Sequence, residues 1–253
     1  MTPPTRVPAP RAIRDLRLVL GFTVCLATLA ASPAGATGRD FIDETSIAEG
    51  MRQGETGIEL GADGRVDIQD QLQGWFAGAT EYGITQRWLA ETVVKGLSRG
   101  RGLEFAGWNL ETRYVAVSQE QFPVAVAGAL EWEVESSAAK HLLYERVLIP
   151  RLIMTRVFSG TLLTTGNAGL AWEIEPLHRT GFAWALGARW PDRRPVALGA
   201  EVTREPLERA TRITPQLHFN MGEASIRLGG SFGVHPRPYH FIARIVVERE
   251  LEL

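Results

Sequence analysis

The chain of 253 residues has little cysteine, little lysine and no long apolar run after its first few dozen residues. Cys25 is the single cysteine, which excludes a disulfide framework and a thiolate metal site. No segment after Ala36 reaches the ~18 uninterrupted apolar residues of a membrane-crossing helix. The five histidines, His141, His178, His218, His235 and His240, are scattered without metal-ligand spacing. None has a serine two residues away, as an activated serine on one strand face would require. Aspartate is sparse beyond Asp70, and Gly229-Gly230 lacks the Lys-Ser/Thr of a phosphate loop. The sequence therefore predicts no enzyme, no cofactor and no metal. A formal net charge of −2 also argues against a nucleic-acid partner, which calls for clustered positive charge.

The N-terminus reads as an export signal. Arg6, Arg11, Arg14 and Arg17 precede an apolar stretch from Leu18 to Ala31, and Ala34-Gly35-Ala36 offers small residues for cleavage. Removing residues 1–36 takes Cys25 with it and leaves a net charge of roughly −5. Residues 37–50 are polar and are expected to form a short periplasmic lead-in. Residues 51–253 read as one domain without an internal linker.

What fills that domain is a period of two. From Val124 to Val134, Val124, Val126, Leu130, Trp132 and Val134 share one face. Ala125, Ala127, Ala129, Glu131 and Glu133 share the other, the mark of a strand with one apolar and one polar surface. Such stretches recur at about 52–62, 66–82, 88–98, 105–116, 123–135, 142–157, 161–175, 180–190, 195–204, 209–219, 223–231 and 239–251. The expected fold is all-β, an antiparallel transmembrane β-barrel of about twelve strands with short turns on both sides. An even strand number places both chain ends on the periplasmic side.

Aromatics cluster at both ends of these stretches. Tyr82, Trp88, Tyr114, Phe122, Phe158, Trp190 and Phe219 lie beside one set of turns. Trp108, Trp132, Tyr144, Trp172, Phe182, Trp184 and Tyr239 lie toward the other. Two aromatic belts are expected where amphipathic rings settle at membrane–water boundaries.

Alternation alone does not say which face points outward. The polar face is rich in Gly and Ala with isolated charges, whereas solvent-facing soluble strands are usually dense in Lys, Thr and Glu. That face is assigned to the lumen. The lumen then holds Glu91, Asn109, Glu111, Arg113, Glu131, Glu133, Glu173, Arg189, Glu201, Arg212, Gln216, His218, Arg227 and Arg244. Glu91 shares its parity with Leu89, Val93 and Leu97. Acids dominate the third to seventh stretches and arginine the eighth to twelfth. The sixth is ambiguous, because Pro150 is expected to mark a bulge that changes its parity. With Arg146 inward, that residue would lie between Glu131 and Glu173.

The segment Glu81-Tyr82-Gly83-Ile84-Thr85-Gln86-Arg87-Trp88 resembles a hairpin of uncharacterised bacterial outer-membrane β-barrel proteins of porin or transporter type, whose pattern is E-Y-G-x-T-D-R. Gln86 stands where the pattern has Asp. Leu110-Glu111-Thr112-Arg113-Tyr114 and Phe122-Pro123-Val124-Ala125 resemble that group's next hairpin. The resemblance implies an outer-membrane barrel, lipid and the barrel insertion machinery as partners, and no catalytic residue. Barrels of that group commonly end in an aromatic; this sequence ends Glu250-Leu251-Glu252-Leu253. Three functions stay open on the sequence. A monomeric barrel could pass small solutes or ions, its luminal charges could pair and close it, or a soluble periplasmic β-protein could hold an apolar ligand.

Overall fold

The computed structural model describes residues 45–67, 71–98, 102–136, 144–192, 194–205, 207, 210–234 and 239–251. The expected signal, residues 1–36, and the start of the lead-in lie outside them.

Twelve strands run in chain order: β1 (Thr56–Asp67), β2 (Leu72–Thr85), β3 (Trp88–Ser98), β4 (Leu103–Val117), β5 (Ala125–Ser136) and β6 (Tyr144–Phe158) form the first half. The second half is β7 (Leu162–Glu175), β8 (Thr180–Trp190), β9 (Val196–Arg204), β10 (Thr211–Met221), β11 (Ala224–Gly233) and β12 (Tyr239–Leu251). Each pairs antiparallel with the next, and β1 pairs with β12 from Thr56↔Leu251 to Val66↔Phe241, so the sheet closes on itself. Closure leaves no strand with unpaired backbone groups, the condition for a sheet to stand in hydrocarbon. The barrel therefore has a terminus-bearing end and an opposite end.

Burial follows the alternation, turned inside out. On β5, Ala125, Ala127, Ala129 and Glu131 are buried while Leu130 and Trp132 are exposed. Across the barrel the exposed residues include Leu152, Met154, Phe182, Leu186, Leu198 and Leu217, and the buried ones include Glu111, Arg113, Glu173, Arg189, Glu201 and Arg227. The apolar face is the outer face, as in barrels that meet lipid.

Two expectations shift. The first stretch is expected to end at about residue 62, but β1 runs on to Asp67, with Gly64 opposite Gly74 on β2 and Ala243 on β12. Asp63 is held there by Arg244, Nε to Oδ1 at 2.5 Å, and by Arg65 at 2.9 Å. Pro150 produces no bulge; it faces outward in register with Leu130. The irregularity of β6 lies at Arg146/Val147 instead. Arg146 consequently pairs with Glu175 at the exposed rim, 3.3 Å away, and the inward cation of β6 is Arg151.

β4 carries a second irregularity, where the register with β3 slips between Lys95 and Gly96. Gly107 sits at this slip with φ 154°, and a Cβ there would lie 2.2 Å from the Val134 carbonyl oxygen. No alanine fits without moving the backbone of β5. Gly107→Ala is expected to cost ~1–3 kcal/mol, the usual range for forced overpacking, read by urea unfolding of the folded protein in lipid vesicles.

The described part of the lead-in is not a tail beside the barrel. From Thr45 to Met51 the chain lies inside it, with Thr45, Ser46, Ile47, Ala48 and Met51 all buried. Ala48 packs with Val115, Ala125, Ala127, Ala129 and Ile153 of β4, β5 and β6. Ile47 packs against Leu163 and Val157. The amide of Gly54 donates to the Gly83 carbonyl (2.8 Å) and the amide of Gly83 to that of Glu55 (2.9 Å), tying the segment's other end to the β2–β3 turn.

Candidate functional site

The interior of the barrel is the candidate site. Because side chains alternate along every strand, one residue in two reaches it. Register then decides which charges become neighbours. Glu81 on β2 stands opposite Glu91 on β3, Glu91 opposite Glu111 on β4, and Glu111 opposite Glu131 on β5. Four carboxylates thus form one row across four adjacent strands, an arrangement that is destabilising unless counter-charges sit beside it.

Counter-charges are there. Arg113 donates to Glu111 through Nε (3.1 Å) and Nη2 (2.8 Å). Arg151 reaches from β6 to Glu131 and stands 3.6 Å from Glu111. Asn109 donates to Glu131 at 2.7 Å. Nearer the opposite end, Lys95 bridges Glu133 (2.5 Å) and Glu135 (3.3 Å). There too, the Arg65 guanidinium lies 4.3 Å from the ring centre of Trp75.

The far wall is held in a different way. Arg227 lies between Glu59 and Glu248, 3.2 Å from the latter. Arg189 pairs with Asp192 at 2.8 Å and Arg212 with Glu205 at 3.2 Å. Gln216 donates to Glu201 and faces the Nε2 of His218 at 3.0 Å. A Cβ on Gly199 would meet that Nε2 at 2.9 Å, so only glycine leaves the ring its space. Glu173 receives the Arg179 Nε (2.5 Å) and the Leu177 amide (3.3 Å), which pins the β7–β8 connection rather than facing open space.

Between these clusters lies a cavity of ≈ 600 Å³. Of the fourteen residues that the sequence assigns to the lumen, Glu91, Asn109, Glu111, Arg113, Glu131, Glu133, Arg212 and Arg244 line it. Glu173, Arg189, Glu201, Gln216, His218 and Arg227 point inward but are buried among neighbouring side chains. Sequence reasoning missed Asp63 and Arg65, which fall in the gap expected between the first two stretches, and it left Glu59 and Glu81 unassigned although both lie inside those stretches. It also missed Lys95, Glu135 and Arg151. Lys95 shares the parity of Glu91, which is the signal that could have found it. Among the described residues, ten carboxylates and seven cationic side chains line the cavity. Seven of those carboxylates and only three of the cations belong to β2–β6. The lining is negative overall, and the excess sits on one wall. Thr45 and Ser46 of the inserted segment line it as well, at the terminus-bearing side.

Outside, the aromatics form two rims. Tyr82, Trp88, Tyr114, Phe122, Phe158 and Trp190 are exposed toward the terminus-bearing end, and Trp132, Trp172 and Phe182 toward the other. Phe219, Trp108 and Trp184 are partly buried; Trp108 stacks on Trp132 with centroids 6.4 Å apart. The side chains of Tyr144 and Tyr239 lie outside the described residues. Trp88 donates its indole N–H to Thr112 at 2.5 Å, on the same outer face.

No protein-family model matches this chain, and no curated protein matches it. Solved structures do. The KdgM porin aligns at TM-score 0.60 and 10% identity over 78% of this chain and 99% of its own. The KdgM porin in complex with disordered oligogalacturonate aligns at TM-score 0.58 and 9% identity, over 78% and 99%. An outer membrane channel from Pseudomonas putida F1 aligns at TM-score 0.60 and 9% identity, over 81% and 98%. At such identities the likeness is one of fold: this chain is a closed antiparallel barrel of the kind that outer-membrane porins and channels share.

Proposed function

We propose that the chain is exported through a cleaved N-terminal signal, spans the bacterial outer membrane as a monomer and acts as a narrow passive channel that favours small cations. One observation carries the reading: the row Glu81–Glu91–Glu111–Glu131 stands on one wall of a cavity whose lining carries more negative than positive charge. Rings and rows of carboxylate side chains select cations by the field they set up in a confined path. The apolar outer face and the two aromatic rims support a lipid setting, and a single chain closes the barrel unaided. Solved barrels of this fold include a porin and an outer membrane channel, which supports reading the interior as a path. Partners on this reading are lipid at the outer face, the barrel insertion machinery during assembly, and small solutes or ions within.

A second reading is favoured by the pairing itself. Arg113, Arg151, Lys95, Arg227 and Arg244 each bind a carboxylate on their own or a nearby strand, and Arg212 binds Glu205 of the β9–β10 connection, as expected of a barrel closed by its own side chains. Planar-bilayer recording separates the two. A conductance whose reversal potential in a KCl gradient has the sign of cation preference is the expected result. A barrel that shows the heat-sensitive gel shift of a folded protein and inserts but stays silent would sink the channel reading in favour of the closed scaffold. Recovery of the protein in the soluble periplasmic fraction without detergent would remove both.

A further inference from the structure

Among the described residues, Thr45 and Ser46 line the cavity on its terminus-bearing side. Residues 45–51 cross the barrel interior beneath it, from the β2–β3 hairpin on one side to Glu201 of β9 on the other. Strands β2 and β9 are far apart around the ring, so this segment is a chord of the barrel rather than a border along its wall. We propose that Thr45–Met51 is a seated strap that closes this end of the lumen and opens it by leaving its seat; the proposal rests on the channel reading above.

The seat is built to hold backbone. The amide of Ala48 donates to Thr155 Oγ1 (2.8 Å), and Thr165 Oγ1 donates to the Ser46 carbonyl (2.9 Å). Arg113 Nη1 donates to the Ile47 carbonyl (3.2 Å), and the amide and hydroxyl of Thr45 donate to Glu201 (3.2 and 2.7 Å). Buried backbone groups must find partners, and here wall side chains on β4, β6, β7 and β9 supply them where a sheet would supply a neighbouring strand. Room for the strap is written into the wall: Ala125, Ala127 and Ala129 on β5 leave the space that Ala48 enters. A Cβ on Gly83 would lie 2.1 Å from the Arg52 carbonyl oxygen, so the chain passes this turn in direct backbone contact.

The same contacts make the closure reversible. None of them is part of a strand ladder, and the apolar hold on Ile47 rests on Leu163 and Val157. At the tethered end Gly54 takes φ +82°, a left-handed conformation that glycine adopts and leaves readily. Gly54 and Glu55 stay fixed to Gly83, so movement of residues 45–51 pivots there while β1 keeps its register.

Two variants of the full chain bracket the proposal. Ile47→Cys with Leu163→Cys places thiols on side chains that touch, so an oxidised bridge pins the strap down. Cys25, the one native cysteine, lies within the expected signal, so the bridge has no competitor in the processed chain. Thr155→Val with Thr165→Val removes two of the strap's hydrogen bonds while keeping side-chain shape. Losing two such bonds raises the open population roughly tenfold or more. Single-channel recording is expected to show no open level for the bridged protein until dithiothreitol is added, and a roughly tenfold longer open time for the Val pair. The rate at which a small charged methanethiosulfonate labels Ala48→Cys should rise by a similar factor in the Val background. Native conductance in both variants overturns the strap and leaves the channel reading standing. An unchanged labelling rate in the Val pair overturns it too, even if no form conducts. Faster labelling with every form silent supports the strap as a mobile closure and overturns the channel reading alone.

Discussion

Arg227→Met is expected to destabilise the folded barrel by ~3–5 kcal/mol, the cost of removing one partner from a buried charge cluster. The reason lies at the seam. Where β1 meets β12, Glu59 stands directly opposite Glu248, two like charges facing each other at the pairing that closes the sheet. Arg227, on β11, reaches across β12 to bind both, and its side chain is only 1% exposed. With Met in its place the two carboxylates repel at short range, Glu248 buried and Glu59 partly open to the cavity, and opposed like charges weaken a strand pair. The loss should appear as a lower urea midpoint in vesicles and a lower temperature for the gel shift of the folded form. Glu59→Gln and Glu248→Gln added to the same variant should recover most of it, because the repulsion is then gone. A midpoint that does not move on Arg227→Met would show that the seam does not depend on this charge.

The largest functional change is expected from neutralising the acidic row. Replacing Glu91, Glu111 and Glu131 together by Gln cancels the excess of three negative charges in the cavity lining. It also releases Arg113 and Arg151, which these carboxylates now hold. The cation-to-anion permeability ratio should fall roughly tenfold, the low end of what a charged cleft does to local ion concentration. Reversal potentials in a KCl gradient measure this directly. Glu173→Gln serves as the contrast. Glu173 carries the same charge on an inward position, but its carboxylate is spent on Arg179 and the Leu177 amide outside the cavity, so selectivity should stay at the native value. If the triple variant keeps native selectivity, the row is not in the ion path.

The period of two made the twelve strands legible, and for β3, β8 and β12 the expected limits coincide with the observed ones. The inside-out assignment was legible too, from the Gly- and Ala-rich polar face of strands such as β7 and β8. Alternation fixes which face a residue belongs to but not which residue stands opposite it. The Glu81–Glu91–Glu111–Glu131 row depends on register across three hairpins, and register is set by turns and slips such as those at Gly83 and Gly107. An early limit for β1 hid Asp63 and Arg65, which the strand keeps through the pairing of Asp63 with Arg244 and Arg65. Thr45–Met51 was least legible of all. Its seven residues have no periodicity to match, and their burial depends on small side chains that come ~80–160 residues later in the chain.

Closure of β1 on β12 makes the chain's starting point almost arbitrary. Thr56 and Leu251 are register partners, so the first and last strands already meet as any other neighbours do. A short link between them, with the chain reopened at another hairpin, would preserve all twelve pairings, since domains with adjacent ends tolerate such rearrangement. What it would not preserve is the tether of residues 45–51, which enter the lumen because they precede β1. The ring itself has no beginning; the strap gives it one.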